Sequence, residues 1–459
     1  MVKKKENLSI KELKHKTRRL SIKEGIFWTF RQAFGDHYIA PFAIAIGSSN
    51  PMVALINTMW NMSFVTQIFG VKIINKFSKK KIITTSVLIN SLGFLLMALI
   101  GFFYLKNIYT EILPLLILID LFIVLSSMGI GHPAWFSWMG DVVDQKYRGR
   151  WWAKRSTILT FMSITLTIIA SFILESFKKN NLEIMGFILF FMIAFLTRAY
   201  CVRILNKHYE PKSKKRNQEK FKIKPLLKDL TKTNFGKFIL FRGLFSISMG
   251  ITTPLVAIYL LRNLGFNYPT YIIIAVAGMI FSIFTLNLWG KLADKYGNYR
   301  IIAMATMFVP LTPILWILSS SKIYLFLIPG IIGGISWYGF ILASTNFVYD
   351  NNSKGKRAGA IAIMNLAIGI GAIIGGLISA GLLKFLNTSW IEPIILIFII
   401  GAIARMIIVF FFIPKIKEIK HKQKFRGFKE LEHMVIKELK PTLMEDAHEI
   451  ASIKNYIND

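Results

Sequence analysis

Along this chain, apolar residues come in runs of about twenty, each long enough to cross a hydrocarbon core as a helix, separated by short polar stretches rich in Lys and Arg. The runs lie near 25–46, 52–74, 82–104, 112–137, 154–176, 184–204, 238–261, 269–290, 301–319, 323–347, 358–384 and 391–413. Strict apolar–polar alternation is absent, which removes membrane barrel strands, and a backbone in lipid must then bond to itself as helix. The pattern predicts an all-α polytopic membrane protein with twelve transmembrane helices in two pseudo-symmetric six-helix bundles. Ala43-Ile44-Ala45 resembles a cleavage site, yet Arg31, Asp36 and His37 interrupt the first run, so it is not read as a cleaved signal peptide.

The runs divide the chain into a basic N-terminal segment (1–23), a first bundle (24–204), a basic linker (205–237), a second bundle (238–413) and a basic tail (414–459). Phe425, Phe428, Leu431, Val435 and Leu439 recur at roughly helical spacing in the tail and predict an amphipathic helix lying on a surface. The halves read as weak copies. "LADKYGNYR" (292–300) matches "IINKFSKKK" (73–81), both between the second and third runs of their half, and "DNNSKGKR" (350–357) matches "DQKYRGR" (144–150), both between the fourth and fifth. Such repeats are a mark of transporters.

A net charge of +33 on 459 residues would suggest nucleic acid, but its distribution points elsewhere. Of 57 Lys and Arg, 47 fall in segments that share one side of a twelve-span protein. By the positive-inside rule that side, with both termini, is the cytoplasm of a multi-pass protein in the cell membrane. The excess charge is expected to attract anionic lipid, and no nucleic acid is expected as partner. Cys201 is the only cysteine, so neither an internal disulfide nor a Cys-based metal cluster is available. No cofactor, metal or enzymatic activity is expected, and the chain is expected to be monomeric.

The stretch "GKLADKYGNYR" (290–300) places Asp294 at the end of the eighth run among Lys291, Lys295 and Arg300. A carboxylate is unfavourable at the C-terminus of its own helix and favourable at the N-terminus of another. Asp294 is therefore expected to latch onto the start of the eleventh run, with Arg357 or Arg300 adding charge, Gly290 permitting close approach and Gly297 a tight turn. The stretch resembles the signature G-x-L-[AGS]-D-[RK]-[FY]-G of the major facilitator superfamily, and "PAWFSWMGDVVDQKYRGRWWAKR" (133–155) resembles a poorly characterised prokaryotic branch of it. The first copy departs from the signature: Val71, Asn75 and Ser78 replace the Gly, Asp and second Gly. Asn75 and Arg148 of the first half are thus expected to form the weaker counterpart of the latch. The resemblance implies membrane transport without identifying the cargo, which is expected to be a small molecule.

Polar groups inside spans are costly and mark candidate cavity residues. The first span carries Arg31, Gln32, Asp36 and His37; the second Asn57, Trp60 and Asn61; the fourth Asp120 and Trp135; the seventh Arg242 and Ser246; the tenth Trp337 and Tyr338. Aromatic faces beside hydrogen-bonding groups suit a small polar or amphiphilic ligand, although Asn, Ser and Thr also bond neighbouring helices. Asp36 and Asp120 are expected to bind a proton in one state or to pair with a cation such as Arg31. His132 is a weaker candidate, and Arg198 and Arg405 are expected to snorkel to the interface. "NLAIGIGAIIGGLISAG" (365–381) is expected to pack closely on neighbouring helices. No phosphate-binding G-x-x-x-x-G-K-[ST] loop occurs, so a gradient must supply the work. The reading is a secondary transporter working by alternating access, with proton coupling; multidrug or lipid efflux, or a sensor or scaffold without flux, are the alternatives.

Overall fold

The computed structural model describes residues 9–74, 76–144, 148–211, 230–283, 285–353, 356–386, 388 and 390–419. Asn75, most of the linker and the expected tail helix lie outside them. Among the described residues the secondary structure is helical, and nine helices are long and apolar enough to cross a membrane. Several expected spans are instead assembled from shorter pieces.

Helix α1 (Ile10–Phe34) begins well before the first apolar run, because Ser9 and Glu12 form a reciprocal capping box. A 3-10 turn (Asp36–Tyr38) and α2 (Ile39–Ala45) complete the first expected span. The second is α3 (Asn50–Thr58), a 3-10 turn and α4 (Met62–Ile73). Then come α5 (Lys79–Leu105), α6 (Leu113–Val142), α7 (Arg148–Lys179) and α8 (Glu183–Asn206). In the second half α9 (Asn234–Thr252) gives way at Pro254 to a 3-10 turn, one short α segment and a π turn ending at Asn263. Proline lacks the N–H that would continue the ladder. The eighth span is α10 (Tyr268–Ile283) and α11 (Leu286–Tyr296), with a turn at Thr285 where the sequence predicts one rod. The ninth is α12 (Asn298–Phe308), a turn at Pro310 and α13 (Thr312–Ile317). Last come α14 (Lys322–Asp350), α15 (Arg357–Phe385) and α16 (Pro393–Phe412).

Helix pairings repeat between the halves. In the first, α1 packs on α7 and α8, α4 on α6, and α5 on α6 and α8. In the second, α9 packs on α15 and α16, α10 on α14, α12 on α14, and α13 on α16. The halves meet where α15 lies on α3 and α4, and where α7 lies on α10. Outer faces are apolar, as lipid requires: on α5, Leu88, Leu92, Leu96 and Leu99 are exposed while Val87, Ser91 and Phe94 are buried.

The end of the bundle that holds Ser9 and Lys415 is here the terminal end, and that holding Ser48 and Asn180 the loop end. At the loop end one apolar core crosses both halves, joining Phe42, Phe187 and Phe191 to Leu255, Tyr268 and Phe398. At the terminal end the cores are separate: one is built from second-half residues around Phe241, Phe340 and Trp289, and two from first-half residues around Trp138 and around Ile158.

Glycines set the spacing of α15. A Cβ at Gly375 would meet the Ile247 carbonyl and come 2.8 Å from Gly250 Cα, while Gly376 faces Thr58 of the first half. Gly375→Val is expected to destabilise the protein by about 1–3 kcal/mol through overpacking, read as a lower Tm in detergent; an unchanged Tm would mean that α15 tolerates separation from α9.

Candidate functional site

The break after α1 brings Asp36 back onto Arg31, and the two form an ion pair. Arg31 Nη1 also donates to Asn90 Oδ1 of α5 at 3.0 Å. The same oxygen accepts from Arg198 Nε of α8 at 3.0 Å, and Arg198 Nη1 donates to Glu24 Oε1 at 3.1 Å. The other oxygen of Glu24 lies 3.7 Å from Arg155 Nη2 of α7, and Arg155 Nε donates to the Ser21 carbonyl at 3.4 Å. One polar chain thus links α1, α5, α7 and α8, with side chains at most 12% exposed in its three ion pairs. Arg198 does not snorkel: it is buried and faces inward, because Glu24 and Asn90 offer it partners that the interface would not improve on.

A cavity of about 420 Å³ lies beside this chain, lined by α1, α5, α6, α7 and α8 with Met279 of α10. Trp28, Trp135 and Trp152 give it flat walls; Arg155 lies 4.6 Å over the Trp135 ring and Trp152 meets that ring edge-on at 5.2 Å. Gln32 lines it and accepts from Ser163 at 2.8 Å. His132 is on its exposed side. A second, water-sized space of about 10 Å³ is bordered by Asp36, Asp120, Asn90 and Trp60. Asp120 is 5% exposed, next to Gly93, where a Cβ would come 3.0 Å from its Oδ1.

The second half has its own cavity of about 370 Å³, lined by Trp337, Tyr338 and Arg405, and Met279 borders it too. Arg405 is also buried rather than snorkelling, donating to Thr252 Oγ1 and, at 3.1 Å, to Thr312 Oγ1. It repeats the geometry of Arg198: each sits in the last span of its half and reaches the first and third. Arg242 lies 4.4 Å over the Phe340 ring, and its buried Nε and Nη1 have no hydrogen-bond partner. Ser246 sits against Gly371. Asn57 Nδ2 donates to the Pro254 carbonyl, at the break in the seventh span, at 3.0 Å; Asn61 donates to Thr58 within its own span. His37 Nε2 is buried without a partner.

The signature loop departs from expectation in two respects. A Cβ at Gly290 would meet nothing within 4 Å, so this glycine makes no close helix contact. Arg357 Nε donates to the Tyr349 and Asn352 carbonyls at 3.3 and 3.4 Å, covering the end of α14 instead of reaching across to Asp294. Asp294 is exposed in the last turn of α11, Lys295 lies 5.0 Å over Tyr296, and Arg300 Nη1 donates to the Tyr296 carbonyl at 3.4 Å. Gly297 does make the expected turn, with φ of 98°. Glu418, beyond α16, presses against it and accepts from Tyr299 N at 2.9 Å, capping α12. Asn75 lies outside the described residues, and of Arg148 only the backbone, opening α7, is described.

Glu24, Asn90, Arg155 and Arg198 were not legible as a site. One signal existed: Glu24 and Arg31 are seven residues apart, which puts them on one face of a helix that the Ser9–Glu12 capping box starts early. Asn90 and Arg198 come from other helices, and their spacing along the chain carries no such mark.

The chain matches the family model described as Major Facilitator Superfamily over residues 27–307 and 238–445. No curated protein matches it. Among solved structures it is similar to the nucleoside transporter NupG (15% identity, 88% of this chain and 99% of that one, TM-score 0.63). It is also similar to the POT family transporter PepTSo (12%, 88% and 97%, TM-score 0.65). A bacterial homologue of the iron transporter ferroportin, solved in an inward-facing state, is a third (15%, 89% and 99%, TM-score 0.59). At these identities the likeness is one of fold.

Proposed function

The chain belongs to the Major Facilitator Superfamily, and from this we propose that it is a secondary active transporter that moves a small solute across the cell membrane by alternating access, coupled to protons. Its twelve spans form two bundles that rock about the cavities meeting at Met279. The observation that carries this reading is the uneven seam: a single core joins the halves at the loop end, while at the terminal end no core crosses from one half to the other among the described residues. A seam of that kind can be zipped at one end and reversed at the other. With the basic segments in the cytoplasm, this is an inward-facing state, sealed on the outside.

Polar contacts reinforce the seal. Arg262 of the second half donates to Asn50 and to the Ser48 carbonyl at 2.5 Å, and Tyr268 N donates to Glu175 Oε2 at 3.1 Å. Asp120, which shares one water-sized space with the Arg31-paired Asp36, carries the coupling proton. The Asp294 loop fastens the cytoplasmic side in the opposite state, when Arg357 leaves the end of α14.

Flux into proteoliposomes under an imposed pH gradient tests the function directly. The state assignment has its own test. Arg262 is exposed, so its bonds are worth about 1 kcal/mol together. Arg262→Ala is expected to release the outer seal and speed thiol labelling of Ser48→Cys, buried in this state, by about fivefold, in a Cys201→Ser background. Labelling that ignores the substitution would remove Arg262 from the seal.

A further inference from the structure

The first-half cavity has an unbalanced charge. Arg31 is matched by Asp36, but Glu24 is the counter-ion of both Arg198, at 3.1 Å, and Arg155, at 3.7 Å. Two guanidinium groups and one carboxylate leave one positive charge in a site whose three side chains are 7–12% exposed. A buried charge without a partner is costly, so the cavity favours an incoming anion and opposes a cation. Glu24 offers a cation little, since both its oxygens already face guanidinium groups.

The walls define the rest of the ligand. Trp28, Trp135 and Trp152 present flat apolar surface, and Arg155 is held over the Trp135 ring and by its Nε bond to the Ser21 carbonyl. A guanidinium held in this way binds a carboxylate through paired N–H donors. About 420 Å³ lies near the lower end of the ~300–1,000 Å³ span of small-molecule sites. Inorganic phosphate would leave the indole faces uncovered, and a lipid would not fit.

We propose that this cavity binds a small organic monoanion with a flat apolar body, its carboxylate held by Arg155 and Arg198 and its ring lying among Trp28, Trp135 and Trp152. The proposal rests on the transporter reading of the same cavity and adds the class of cargo.

Benzoate, benzamide, benzylamine and inorganic phosphate are suitable probes, titrated into the purified full-length protein and followed by tryptophan fluorescence. Saturable quenching by benzoate is expected, with affinity about tenfold or more above the other three, the scale of one charge-assisted hydrogen bond. Arg155→Gln leaves Arg198 paired with Glu24 and so brings the site into charge balance. In that variant the preference for benzoate over benzamide is expected to vanish, a change that loss of packing alone would not produce. Equal binding of benzamide or benzylamine, phosphate competing as well as benzoate, or a preference that survives Arg155→Gln would each overturn the assignment. Flux of labelled benzoate and of a panel of neutral and cationic solutes into proteoliposomes separates the two ideas. If members of the panel cross while benzoate neither binds nor crosses, only the cargo class is lost; if nothing crosses, the transporter reading loses its support as well.

Discussion

Asp120→Asn is expected to abolish accumulation of cargo driven by a pH gradient in proteoliposomes, while exchange of cargo across the membrane continues. The two carboxylates by the small space are not equivalent. Asp36 is neutralised by Arg31, whereas Asp120, on α6, is 5% exposed and borders the same space without an ion pair. Buried and without an ion pair, Asp120 is the one of the two carboxylates placed to take up a proton and give it back. Movement of α6 in the opposite state would rewet it and release the proton. Asparagine keeps the shape and removes the site, so cargo can still cross but no longer against its gradient. Full accumulation by the Asn variant would take the coupling role away from Asp120.

Glu24→Gln is expected to cause the largest loss of stability of any single change in the first half. It leaves Arg198 and Arg155 side by side with no carboxylate, and breaking a buried pair in this way costs about 3–5 kcal/mol. The measurement is thermal unfolding of the purified protein in detergent. Adding Arg155→Gln to Glu24→Gln should restore part of the loss, since one of the two stranded cations is then gone; the double-mutant cycle reads their coupling. A Glu24→Gln protein as stable as the parent would show that the network is solvated and not a structural core.

Nine of the twelve expected runs were legible as helices long and apolar enough to cross a membrane, because length and apolarity are properties of a run and need no partner. Their interruptions were less so, although Pro254 and Pro310 sit at two of them. Helix α1 starts before its apolar run because capping, which hydropathy does not report, sets its N-terminus. Arg198 and Arg405 show a deeper limit. Sequence gives the depth of a residue in the membrane but not the direction it faces, and at equal depth an arginine can reach lipid headgroups or a buried glutamate. The signature loop was legible as a turn around Gly297, yet the residue that presses on that turn, Glu418, lies 121 positions away by sequence number and beyond the last span. Arg31 and Asp36, close in sequence, were foreseen as a possible pair; the network beyond them was assembled only by folding.

The matched arginines have a mechanical consequence. Arg198 rivets α8 to α1 and α5, and Arg405 rivets α16 to the end of α9 and to α13. Slipping either closing rod by a single helical pitch would strand a guanidinium in hydrocarbon. Shear inside a half is thereby blocked, and compliance is left to the glycine-faced joint where α15 rests on α3 and α4. In the proposed alternating-access cycle each half would then act as a stiff lever, and cargo would wait for a whole lever to tip.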